Sequence, residues 1–149
     1  MGKDMRAAPA TVGAAALEYV ARVFGAGFVL GMVRELWVRP RVGVRAAELL
    51  ELPLMLVVVV LAARAVDRRW LAAHDARTGL VVGVSALVLL LTVEVGLAMA
   101  VRGLSMRDAL LARDPLSGTA YYISVMMFAA MPWYLLRRSS HFRSKDLEP

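Results

Sequence analysis

The sequence predicts an all-α integral membrane protein, with four transmembrane helices arranged as two parallel-related helical hairpins that carry short interfacial outer segments. Three observations lead there. The chain is 60% hydrophobic with a mean hydropathy of +0.62, against about 45–50% apolar content in soluble domains. At 149 residues it has little interior in which to hide that excess, because short chains bury a smaller fraction of their surface. The apolar residues gather in four windows near the length, about 20 residues, that carries a helix across about 30 Å of hydrocarbon. Most of the 18 Lys and Arg residues fall between or beside those windows, which is how membrane-flanking charge is distributed.

The first window covers 14–33. Lys3 and Arg6 precede it, but residues 9–13 are too weakly apolar to form the core of a secretion signal, so the span is expected to be retained. The second covers 47–66 around the apolar run 52–63. Glu48 and Glu51 flank that run on one side and Arg64 on the other, which places its acidic end among lipid headgroups. The third covers 79–101, and Glu94 is its only charge. The fourth covers 118–136, with Asp114 as a helix cap and Pro115 suited to the first turn.

Of the outer connections, 105–108 has Ser105 and Asp108 at capping-box spacing, and Leu104, Leu110 and Leu111 give the next turns an apolar side. A short helix lying on the membrane surface is expected there. The tail 137–149 is polar and basic and is expected to be a disordered cytoplasmic segment attracted to the inner leaflet. Short cytoplasmic loops hold an excess of Lys and Arg. With the N-terminus inside, Lys3, Arg6, Arg64, Arg68, Arg69, Arg77, Arg137, Arg138, Arg143 and Lys145 lie on the cytoplasmic side. Arg34, Arg39, Arg41, Arg45, Arg102, Arg107 and Arg113 lie on the other. The bias gives a multi-pass protein of the cell membrane with both termini cytoplasmic. Trp37, Trp70 and Trp133 fall near span ends, where an apolar ring with a polar tip sits well.

A shift of 68 residues superimposes Val33, Arg34, Leu36, Arg39 and Arg45 on Val101, Arg102, Leu104, Arg107 and Arg113. It maps the first span onto the third and implies two hairpins inserted in the same direction, related by an axis along the membrane normal. Gly27 and Gly31, and again Gly79 and Gly83, have the spacing that lets helix backbones approach in lipid, with packing inside the bundle favoured over dimerisation.

Ionisable side chains inside a span are costly and therefore candidates for function. Glu18 and Arg22, four apart with the acid first, form a candidate intrahelical ion pair. Glu94 has no partner on its own helix. Ser124 has nearly the same depth on the fourth span, with Tyr121 and Tyr122 slightly shallower and Arg34 and Arg102 at the outer rim. Together these six residues make a candidate intramembrane polar site, an outward-facing vestibule. Glu35, Glu48 and Glu51 are placed to pair with the outer arginines, though a solvated network in the headgroup region is the commoner outcome. Met126, Met127 and Met131 suit adaptable packing.

Several chemistries find no support. The chain has no cysteine, which excludes disulfides and thiolate-held metals. His74 and His141 lie outside the spans, away from any haem-ligating or triad geometry, and no phosphate-binding glycine loop is present. The net charge of +6 reads as membrane-flanking charge, so no nucleic-acid partner is expected. No cofactor or metal is expected either. The expected partners are the lipid bilayer and a homo-oligomer or larger membrane complex. The expected role is a non-enzymatic accessory or scaffold component. The alternative is a small oligomeric transporter or channel that uses Glu94 as its coupling group. A lipid-modifying enzyme would need a reactive constellation that the sequence does not display.

Overall fold

The computed structural model describes residues 8–103, 105, 107 and 115–145. They form four long helices and, among the described residues, no strand. Helix α1 runs Pro9–Val42, α2 Val44–Leu71, α3 Ala76–Arg102 and α4 Pro115–Lys145. The first three are long and apolar enough to cross a membrane.

Helix α1 starts on Pro9, whose fixed φ and missing N–H suit a first turn. It passes through a π-helical turn at Arg34–Val38 before Pro40. The outer connection expected at 34–46 is thus helical almost throughout. It is broken only at Gly43, whose φ of 80° and ψ of 170° suit a residue without Cβ. Helix α2 ends in a second π-turn, Asp67–Leu71. Asp75 then caps α3 by accepting hydrogen bonds from the Thr78 N–H at 2.9 Å and the Thr78 hydroxyl at 2.8 Å. These two bonds, the backbone one first, hold the Asp75 carboxyl below its ordinary pKa. The surface helix expected after Ser105, and the Asp114 cap, lie outside the described residues; Pro115 does open α4.

One expectation is corrected. The tail expected to be disordered from Arg137 continues α4 as helix to Lys145. No glycine or proline interrupts 137–145, and basic residues near a helix C-terminus are favoured by the helix dipole. Residues 146–149 lie outside the described set.

The helices close into a ring in which α1 touches α2 and α3, and α4 touches the same two. Cross-helix contacts fix the directions. Arg34 meets Glu51, Gly27 meets Met55 and Glu18 meets Trp70, so α1 and α2 are antiparallel. Glu94 meets Tyr121, Gly83 faces Ala129 and Gly79 faces Pro132, so α3 and α4 are antiparallel too. The end that holds Pro9, Asp75 and the C-terminus of α4 is called proximal below, and the end at Gly43 distal. Counterparts α1 and α3 stand side by side. An axis down the middle of the bundle would have set them on a diagonal, so that part of the expected symmetry is not the packing adopted.

Tyr19 and Phe128 join α1 to α4 across the diagonal. Pro132 inside α4 has no N–H to donate to the Phe128 carbonyl. The buried Tyr19 hydroxyl donates to that carbonyl instead, at 2.9 Å, and its ring stacks on Phe128 at 4.4 Å with planes 2° apart. Around this contact lies the core, built from Ala15, Ala16, Val20 and Val23 of α1, Val59, Ala63, Val66 and Leu71 of α2, Val82, Ala86 and Leu90 of α3, and Phe128, Met131 and Leu136 of α4. All of these lie in the proximal half. In the distal half, Ala47 is the only buried residue among those described.

Candidate functional site

The polar side chains sort by level along the bundle, and tryptophans mark two of the levels. At the proximal level the Trp70 indole N–H donates to Glu18 Oε2 at 2.8 Å. At the distal level stands Trp37. From Glu18 to Trp37, α1 rises about 28 Å at about 1.5 Å per residue, close to the thickness of a hydrocarbon core. Each tryptophan ring lies beneath a guanidinium: Arg41 over Trp37 at 5.9 Å, Arg69 over Trp70 at 5.4 Å and Arg137 over Trp133 at 5.2 Å. Apolar ring and solvated charge together suit a bilayer boundary.

Glu18 and Arg22 pair as expected, with Arg22 Nε and Nη2 donating to Oε1 at 3.0 and 2.7 Å. The pair is part of a larger cluster, because Oε2 also receives Trp70 and lies 3.5 Å from Arg69 Nη1. Sequence spacing exposes i,i+4 partners on one helix, but Trp70 and Arg69 come from α2 and are joined only by the fold.

At the distal level Arg34 donates to Glu51 Oε2 at 2.7 Å and lies 3.7 Å from Glu35. Arg39 pairs with Glu35 at 2.6 Å. Of the two outcomes the sequence left open for Glu35 and Glu51, direct pairing with the outer arginines is the one adopted, although a solvated network is the commoner one. That pairing has a consequence for the vestibule: Arg34 is engaged in the α1–α2 pair rather than directed at Glu94.

Between the two levels lies Glu94. Tyr121 donates to Glu94 Oε2 at 2.5 Å across the α3–α4 contact, and the Tyr122 ring meets the Tyr121 ring edge-on at 5.5 Å. Counting from the Tyr19–Phe128 contact along the paired helices, Glu94 falls within about one turn of Gly27's level, near midway between the tryptophan levels. Ser124 is half-buried three residues beyond Tyr121. The structure thus joins Glu94 with Tyr121, sets Tyr122 against the Tyr121 ring, and sends Arg34 elsewhere. The Arg102 side chain lies outside the described set.

A short O–H···O bond to a carboxylate is among the stronger protein hydrogen bonds, and in a low-dielectric setting it answers the need of a half-buried acid for a donor. Glu94 and Tyr121 can therefore hold two helices together or present a carboxylate to a ligand. Among the described residues, no three His, Asp or Glu side chains converge as metal ligands.

The motif Gly79-xxx-Gly83 is used inside the bundle. A Cβ on Gly83 would overlap the Ala129 carbonyl oxygen, and one on Gly79 would come within 2.8 Å of the Pro132 carbonyl oxygen. The α1 motif differs, since Gly27 touches only the tip of Met55 and Gly31 has open space around it. Comparison of the chain with protein-family models, curated proteins and solved structures finds no match in any of the three.

Proposed function

We propose that the chain is a four-span, non-enzymatic accessory or scaffold component of the cell membrane that associates laterally with other membrane proteins through its distal half. The observation that carries this reading is the confinement of the core, among the described residues, to the proximal half. Beyond it the helices expose large apolar side chains, among them Phe28, Leu97, Ile123 and Met126, beside the half-buried Glu94–Tyr121 pair and the uncovered Gly31. Close helix approach in lipid uses small residues and interhelical polar bonds, and all of these are available there. The N-in, C-in orientation fits the same picture, because Arg64, Arg68, Arg69, Arg77, Arg137 and Arg138 all belong to the proximal end.

Photo-crosslinking in native membranes tests the proposal. A photoreactive residue at Leu97, Ile123 or Met126 is expected to give discrete protein adducts, whereas one at the similarly exposed Leu80, Val81 or Tyr134 gives mainly lipid adducts. Equal adducts from both halves would overturn it. The transporter alternative draws on the carboxylate–phenol bond near mid-membrane, where an acid could exchange a proton. A proteoliposome flux abolished by Glu94→Gln would replace the scaffold reading with that one.

A further inference from the structure

We infer that Arg22 and Arg69, held by Glu18 and Trp70 at the proximal level, form a binding site for the phosphate of an anionic phospholipid. The inference rests on the reading that the chain spans a bilayer, and it concerns the opposite end of the bundle from the proposed partner surface.

Glu18 is surrounded by donors. Oε1 takes two bonds from Arg22, and Oε2 takes Trp70 and the approach of Arg69, so the carboxylate serves as an anchor. Its side chain is only 17% exposed, while those of Arg22 and Arg69 are 48% and 64% exposed. Arg22 engages the carboxylate through Nε and Nη2 and Arg69 approaches it through Nη1, which leaves Arg22 Nη1 and Arg69 Nε and Nη2 for another acceptor. Because both hang on one carboxyl group, they lie near enough for a single phosphate to accept a hydrogen bond from each.

Position selects the ligand. The Trp37–Trp70 spacing puts this cluster at the boundary of the hydrocarbon, where exposed arginine N–H groups turn to headgroup oxygens for acceptors. The planar guanidinium matches phosphate geometry. Two cations share one anion, so the cluster carries surplus positive charge and prefers a lipid with net negative charge to a zwitterionic one. The distal cluster behaves differently. Arg34 and Arg39 are matched there one for one by Glu35 and Glu51. Trp70 adds a fixed apolar ring beneath Arg69 at 5.4 Å, suited to the glycerol and upper acyl region.

Native mass spectrometry tests the site. The full-length protein would be purified from bilayers containing equal amounts of phosphatidylglycerol and phosphatidylcholine. The wild type is expected to retain phosphatidylglycerol preferentially. The double substitution Arg22→Gln with Arg69→Gln is expected to lower that retention by about tenfold or more, the loss of charge-assisted hydrogen bonds. Arg41→Gln at the other end should leave it unchanged. Equal retention of the two lipids, or equal losses in Arg41→Gln and the double variant, would overturn the inference. So would displacement of the lipid by inorganic phosphate as effectively as by a short-chain phosphatidylglycerol, which would mark a free-anion site. Resistance of each variant to alkaline extraction from membranes reports insertion separately, so failure of the spanning reading is distinguishable from failure of the site.

Discussion

At Phe128 a carbonyl loses its intrahelical donor because Pro132 follows four residues later, and the Tyr19 hydroxyl supplies the replacement. A buried acceptor without a partner costs about 1–3 kcal/mol, so Tyr19→Phe is expected to destabilise the bundle by about that much while the ring stack survives. Pro132→Ala restores the missing N–H, and in that background Tyr19→Phe should cost much less. A double-mutant cycle by thermal unfolding in detergent checks the coupling; equal costs in both backgrounds would break the link. Half of this arrangement was legible in advance, since a proline within an apolar helix always frees a carbonyl. Its donor was not, because Tyr19 lies in a different helix and only tertiary packing brings the two together. The same division applies at Glu94, where Tyr121 was a foreseeable partner but the diversion of Arg34 to Glu51 depended on how α1 and α2 pair.

The four apolar windows all fall inside helices, while the helix ends were set by chemistry that hydropathy does not contain. Helix α2 begins at Val44 because Gly43 breaks the chain, and α3 begins at Ala76 because Asp75 caps it. Asp75 and Thr78 stand at capping distance in the sequence, so that start was readable and passed over. The α4 extension to Lys145 shows the opposite error, in which polarity was taken for disorder. Within α3, Gly83 lies against the α4 backbone and Gly96 has nothing near its missing Cβ. Gly83→Ala is therefore expected to force the helices apart and cost about 1–3 kcal/mol, as overpacking does. Gly96→Ala should be neutral or slightly stabilising, since alanine is the better helix former by about 1 kcal/mol. Thermal unfolding of the two variants in the same detergent provides the comparison, and equal effects would show that the α3–α4 contact is not close-packed.

At the scale of the whole molecule, the described residues combine a closed proximal half with an open distal half, set between tryptophan levels about one hydrocarbon thickness apart. Composition and window length were enough to indicate a helical membrane bundle, because lipid demands long apolar helices whatever their packing. They could not indicate that the core would stop halfway, since exposed and buried valines look alike in a sequence rich in both. Helix α4 is the critical element for a four-span architecture: it is not among the helices long and apolar enough by composition to cross a membrane, and its distal half carries Thr119, Tyr121, Tyr122 and Ser124. The most direct measurement uses the absence of native cysteine. Single cysteines at Lys3, His74 and His141, and at Gly43 and Arg107, would be labelled in intact cells with a membrane-impermeant thiol reagent. Four spans with both termini cytoplasmic predict that the cysteines at 43 and 107 react from outside and that those at 3, 74 and 141 react only after the membrane is opened. Labelling of 107 and 141 from the same side would contradict it, leaving α4 on the membrane surface rather than across it.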